Sequence, residues 1–192
     1  MGARQLKISL VQSNSIVGDI SFNAKCVLEK ANEAEKKGSE LIVFPEMFLS
    51  GYQPLDLVKK RSFLEDVFFQ VQNIAQQTNS LKIRILIGAP WRLDNKIHNA
   101  LISIFKGSIK VVSKKSHLPN YDVFDEKRFF VSGNGLDLFE IGNIKIGFPI
   151  CEDAWHSDII EQLKNLGADI IIVTNGSPYE TNKLVDRQKI IK

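Results

Sequence analysis

Glu40-Leu41-Ile42-Val43-Phe44-Pro45-Glu46 is the stretch on which the fold turns. Its apolar residues run on without polar alternation, as in a strand buried on both faces, so other layers must cover it from each side. Before it, an amphipathic helix is expected from about Ser21, read as the N-cap, to Lys37, with Gly38 ending it. Further back lie a short strand at Lys7–Gln12 and a turn around Gly18-Asp19.

On the other side of the run, a second helix is expected from about Ser62 to Thr78, with Phe63, Val67, Val71, Ile74 and Ala75 on one face. Strands follow at Ile83–Ala89, Asn99–Phe105 and Ile109–Lys114, the last two joined as a hairpin through Lys106-Gly107. An irregular, aromatic-rich stretch runs from His117 to Gly135. Then come Asp137–Ile141, a turn at Gly142-Asn143, a strand at Lys145–Ile150, a helix near Asp158–Leu166 stopped by Gly167, and a strand at Asp169–Thr174. Thr181–Lys192 reads as the start of another helix without a C-cap signal, and truncation inside an element is the expectation. Alternating strands and helices with antiparallel hairpins predict a single α/β domain with mixed sheets.

The chain has 25 basic and 22 acidic residues, a net charge of +3, and scatters them instead of forming a basic stripe, so nucleic acid is not implied. No apolar run approaches the roughly 20 residues that span a bilayer, so no membrane association is expected. Cys26 and Cys151 lie far apart in different contexts, which argues against a disulfide and for a reducing, cytoplasmic setting. The spacing of His98, His117 and His156 suggests no metal site, and the glycines spell neither a P-loop nor a dinucleotide fingerprint.

Three ionisable residues stand immediately after apolar strand runs: Glu46, Lys115 and Cys151. The carboxyl ends of strands are where an α/β scaffold gathers reactive groups on a rigid support. A lone Cys is more often a small buried hydrophobe, and Cys26, inside the first helix, fits that reading. Cys151, in Phe148-Pro-Ile-Cys151-Glu-Asp-Ala-Trp155, stands where a strand turns into a helix, so its thiol can be presented to a pocket beside backbone amides. Glu46 is either a solvated strand end or a paired carboxylate able to take and return the thiol proton. Lys115 is either a surface cation or, beside a thiol, a charge that lowers its pKa and meets an oxyanion.

Phe44-Pro-Glu46-Met-Phe-Leu-Ser-Gly-Tyr52, Lys115-Ser-His-Leu-Pro119 and Ile150-Cys151-Glu-Asp-Ala-Trp155 resemble, in order and spacing, the three signatures of the nitrilase (carbon-nitrogen hydrolase) superfamily. The longer string Lys115-Ser-His-Leu-Pro-Asn-Tyr-Asp-Val-Phe-Asp-Glu126-Lys-Arg-Phe-Phe130, with Asn175-Gly-Ser177-Pro-Tyr179, resembles the glutaminase domain of glutamine-dependent NAD synthetases. The resemblance covers essentially the whole chain. It implies a four-layer α-β-β-α sandwich, incomplete at the C-terminus, with the family's catalytic Glu-Lys-Cys triad at Glu46, Lys115 and Cys151. It also implies an additional active-site carboxylate at Glu126 and glutamine contacts from Tyr52, Tyr121, Glu152, Trp155 and Ser177.

What the resemblance implies for function is hydrolysis of the glutamine amide through a Cys thioester, with no metal or cofactor. The ammonia would serve an ATP- and Mg-dependent synthetase domain that amidates deamido-NAD, a partner missing here, in a full-length enzyme expected to be a homo-oligomer. Two alternatives stay open: a stand-alone amidase acting on another small amide, and a non-catalytic remnant or interaction module that kept the fold.

Overall fold

The computed structural model describes residues 5–133, 136–177, 181 and 183–191. Gly135, Tyr179 and Lys192, which bound segments singled out in the sequence, lie outside these. The first strand, β1 (Ile8–Leu10), leads through helix α1 (Ile20–Lys36) to β2 (Leu41–Val43), so the apolar run is a strand as expected. Helix α2 (Arg61–Gln77) then leads to β3 (Arg84–Leu93), and β1, β2 and β3 pair in parallel. Two antiparallel neighbours, β4 (Lys96–Phe105) and β5 (Ser108–Lys114), complete a sheet in the order β1-β2-β3-β4-β5. A second sheet holds β6 (Phe139–Ile141), β7 (Ile144–Gly147) and, after helix α3 (Ser157–Asn165), β8 (Ile170–Ile171), with β7 parallel to β8. Helix α4 spans Lys183–Ile191.

Side-chain parity turns these sheets into layers. In β2, Ile42 points to a core shared with α1 and α2, where it joins Val27, Val67, Val71 and Ile74. Its neighbours Leu41 and Val43 point the other way, into a second core with Phe139, Ile146, Phe148 and Ile150 of the second sheet. Strands β3 and β4 repeat the division, with Ile85, Ile87 and Ile102 toward the helices and Leu86 and Leu101 toward the other sheet. A third cluster packs Leu136 against Ile159 and Leu163 of α3. The order is therefore helices, sheet, sheet, helix: the four-layer α-β-β-α sandwich. It explains why Leu41–Val43 is apolar on both faces.

Several boundaries differ from the sequence reading; β7, for one, ends at Gly147 and not at the expected Ile150. The N-cap of α1 is Asp19, not Ser21; its carboxylate accepts from the Phe22 N–H at 3.0 Å. Strands β3 and β4 run on to a tight turn at Asp94-Asn95, whose φ angles of 48° and 62° suit the two-residue turn that joins twisted antiparallel strands. Pro90 lies in β3 beyond Leu86, the last residue paired with β2, so its missing N–H costs that pairing nothing. Strand β8 is shorter than the expected Asp169–Thr174, although a bridge from Ile150 to Thr174 keeps the chains side by side. Pro149, which has no N–H to give, interrupts the ladder between them.

Candidate active site

Glu46, Lys115 and Cys151 each follow a strand and come from both sheets. Glu46 stands in the turn after β2, which rests on β3 at Gly88. A Cβ there would come within 2.5 Å of the Pro45 carbonyl oxygen and the Met47 nitrogen, so only glycine lets the turn lie so close. Lys115 follows β5 directly, and its N–H donates to the Asn99 carbonyl at 2.8 Å. Cys151 opens a short 3-10 turn, Cys151–Trp155, after the second sheet's central strand. Its φ of +47° is unusual for a residue with a side chain and costs on the order of 1–3 kcal/mol. A strained elbow of this kind turns the thiol out of the strand direction.

The centre of the site is a buried charge cluster. The Lys115 ammonium, fully buried, donates to Glu46 Oε1 and to Glu126 Oε1, each at 2.8 Å. Asn99 Nδ2 donates to the same Glu46 oxygen at 2.7 Å, and the Gly176 N–H donates to Glu46 Oε2 at 2.9 Å. The Tyr52 hydroxyl donates to Glu126 Oε1 at 3.1 Å, while Glu126 Oε2 has no hydrogen-bond partner among the described residues. Cys151 Sγ lies 3.3 Å from Ser177 Oγ.

These contacts set the proton affinities. Burial pushes the Cys151 thiol up to about 12, helped by the Glu46 charge, while Lys115, the Ser177 hydroxyl and the Gly176 N–H pull it back. Burial alone would lower the pKa of Lys115, but Glu46, Glu126 and Cys151 outweigh it and hold the ammonium charged. Burial and the neighbouring Glu46 charge raise Glu126 to about 7, against the pull of Lys115 and Tyr52. Tyr52 is raised in turn, first by burial and then by the two carboxylates. The resting thiol is therefore neutral, and a carboxylate and a cation stand buried beside it.

A second group lines the rim. The Tyr121 hydroxyl donates to Glu152 Oε2 at 2.9 Å, and Glu152 Oε1 is 3.5 Å from His156 Nε2. His156 stacks on His117, ring centroids 3.7 Å apart, and His117 reaches Asp158 at 3.1 Å. The His117, His156 and Asp158 ligand atoms lie within 4.8 Å of one another, a proximity their spacing in sequence did not suggest. The ring planes are only 11° apart, so the in-plane lone pairs run side by side instead of converging on one ion. Trp155, half-buried, closes the turn that Cys151 opens.

The structure thus joins Glu46, Lys115 and Glu126 directly, sets Cys151, Ser177 and Tyr52 against them, and places Tyr121 and Glu152 outside. Cys26 stays apart in α1, and both thiols are free. Three contributors were not singled out in the sequence. Asn99 is a lone amide heading an apolar strand run; Asp153 is a fully buried carboxylate two residues after Cys151; Gly176 leaves room beside Glu46, where a Cβ would lie 3.0 Å from Oε2. Asn99 and Asp153 carried a signal, since a polar group inside an apolar context needs a partner.

Residues 7–191 match the family model described as carbon-nitrogen hydrolase. The chain belongs to the carbon-nitrogen hydrolase family. It is 40% identical over 187 residues to the glutamine-dependent NAD(+) synthetase of Thermotoga maritima, an alignment covering 96% of this chain and 32% of that protein. A solved glutamine-dependent NAD+ synthetase from Acinetobacter baumannii, in complex with adenosine diphosphate, superposes with a TM-score of 0.88 at 33% identity, over 97% of this chain and 35% of the other. An amidase from Nesterenkonia sp. AN1, solved as a mutant with acrylamide added to its active-site cysteine, shares the fold with a TM-score of 0.79 at 18% identity, covering 94% of this chain and 70% of that one. The chain spans about a third of the length of the curated relatives it matches. As a carbon-nitrogen hydrolase it falls in the class of enzymes that split carbon–nitrogen bonds with water. Among the described residues, no helix is long and apolar enough to cross a membrane.

Proposed function

We propose that this chain hydrolyses the side-chain amide of glutamine, with Cys151 as nucleophile, Glu46 as general base and acid, and Lys115 as oxyanion partner. The observation that carries the reading is the buried Lys115 ammonium, bonded at 2.8 Å to both Glu46 and Glu126 and felt electrostatically by the Cys151 thiol. An ion cluster so thoroughly removed from water contributes little to stability against a well-packed apolar equivalent, and its chemistry gives it a purpose.

Glu46 takes the thiol proton as sulfur attacks the carboxamide carbon, and the negative charge moves to oxygen, where Lys115 and a backbone N–H of the Cys151 turn receive it. The carbon–nitrogen bond breaks, Glu46 returns the proton to the departing nitrogen, and ammonia and a glutamyl thioester result. Water, deprotonated by Glu46, attacks the thioester, giving glutamate and restoring the thiol. Glu126 holds the far side of Lys115 through its Oε1. Tyr52, Tyr121, Glu152, Trp155 and Ser177 make up the glutamine-contacting set.

The relatives named as glutamine-dependent NAD(+) synthetases support a place for this reaction. The ammonia feeds an ATP- and Mg-dependent synthetase domain that amidates deamido-NAD, in a homo-oligomeric, cytoplasmic enzyme of which residues 1–192 supply the hydrolytic part. The test is ammonia release from glutamine against release from aliphatic amides, with intact-mass detection of a glutamine-like diazoketone on the protein. Glutamine should be preferred and the label should sit on Cys151. Equal turnover of simple amides would overturn the substrate assignment, and a folded protein that takes no label at Cys151 would overturn the chemistry.

A further inference from the structure

Two backbones carry the reacting cation and the reacting thiol, and they belong to different sheets. Lys115 ends the hairpin arm of the first sheet, and Cys151 follows the central strand of the second. Both segments leave regular pairing at the site, so their next N–H groups have no ladder to join. One side chain answers both. Asp153 is fully buried; its Oδ1 accepts from the Ser116 N–H at 3.0 Å and the His117 N–H at 2.7 Å, and its Oδ2 accepts from the Ile150 N–H at 3.1 Å. One oxygen holds the two residues after Lys115, and the other holds the residue before Cys151. Burial raises the Asp153 pKa, while the three N–H bonds and Lys115 work in the opposite direction.

We propose that Asp153 is a positioning residue, a bracket whose two oxygens fix the backbone bearing the Lys115 ammonium against the backbone bearing the Cys151 thiol. The inference rests on the amide-hydrolysing reading of the site and extends it to a group that touches neither substrate nor sulfur. Ionisation matters because only a carboxylate offers acceptors on both oxygens; an amide of the same shape must turn a donor toward one of the two backbones. The distance from ammonium to thiol matters most once charge develops on the carbonyl oxygen. Loosening it should therefore lower kcat more than it weakens binding.

The experiment compares the 192-residue chain with Asp153→Asn for ammonia release from glutamine, thermal melting and amide hydrogen exchange. The expected result is a folded variant with kcat down at least about tenfold, KM within about threefold, and faster exchange at Ile150 or at Ser116 and His117. A folded variant that keeps kcat within about twofold, or whose loss lies in KM alone, overturns the bracket. If Asp153→Asn does not fold, exchange in the wild-type chain decides. After correction for intrinsic rates, Ile150, Ser116 and His117 should open as one unit, and independent opening refutes their coupling. If the wild-type chain releases no ammonia from glutamine, the substrate assignment fails, and the exchange comparison still settles whether one carboxylate joins the two backbones.

Discussion

Glu126 sits beside Glu46 with a single ammonium between them, and burial with the Glu46 charge raises its pKa to about 7. One cation cannot fully neutralise two buried carboxylates, so Glu126 keeps its proton toward neutral pH. Between its unfolded value near 4.5 and about 7, the folded chain holds a proton there that the unfolded chain has lost. The native state then binds more protons, and stability falls as pH rises through that window by up to about 1.4 kcal/mol per pH unit, levelling off above it. Glu126→Gln removes the proton and keeps an acceptor for Lys115 and Tyr52. Urea unfolding at pH 5, 6 and 8 should show the variant gaining on the wild type as pH rises; a constant difference would mean that Glu126 is ionised throughout. At this scale the sequence singled out Glu46, Lys115 and Cys151, because each ends an apolar run. It did not show which residues hold them: Asn99, Asp153 and Gly176 act across the fold, on partners 53, 37 and 130 positions away.

Helix α1 shows how an element is tied to the site by one polar side chain. Asn23 is fully buried on the face that packs toward the first sheet; its Nδ2 donates to the Ile16 and Leu49 carbonyls at 2.8 and 3.0 Å, and its Oδ1 accepts from the Ile16 N–H at 2.9 Å. Leu49 belongs to the turn that carries Glu46, so the amide fastens that turn to the helix and to the loop before it. Asn23→Ala leaves the Leu49 carbonyl dry and unpaired, while half-exposed Ile16 can rehydrate. The expected loss is about 1–3 kcal/mol, read as a lower urea midpoint with an unchanged slope. A neutral result would show that water replaces the amide. Elements such as α1 and α2 were legible because their apolar period is helical, and their ends came within one or two residues. The β3–β4 turn was missed because the strands were expected only at Ile83–Ala89 and Asn99–Phe105; Pro90 and the polar Asp94-Asn95-Lys96 lie in the gap, and only the position of β2 reveals that Pro90 costs the sheet no pairing. The shortening of β8 likewise follows from Pro149 on the neighbouring segment after β7, a cross-strand effect that no local window contains.

The whole molecule divides its apolar interior into separate layers with different duties. The helix-to-sheet core supports the first sheet, whereas the sheet-to-sheet core sets how Glu46 and Lys115 on one sheet meet Cys151 on the other. The unbroken apolar run at Leu41–Val43 disclosed that both layers exist; it could not disclose that the site spans the space between them, which depends on register. Two truncations separate the duties. Ile74 of α2 is fully buried in the first layer, and Phe148, 1% exposed, packs edge-on to Phe139 in the second, three residues before Cys151. Ile74→Ala should cost about 2–5 kcal/mol and Phe148→Ala about 3–5 kcal/mol by lost burial and residual cavity, so the two are comparable as stability changes. Their effect on Cys151 should not be comparable. With both variants held under folding conditions, labelling by the glutamine-like diazoketone should stay near the wild-type rate in Ile74→Ala and fall at least about tenfold in Phe148→Ala, because the second cavity lets the sheets shift where the ammonium faces the thiol. Equal rates in the two variants would mean that the Asp153 bracket and the charge cluster hold the site without help from the middle layer. Equal losses would mean that reactivity follows global stability and not the inter-sheet spacing.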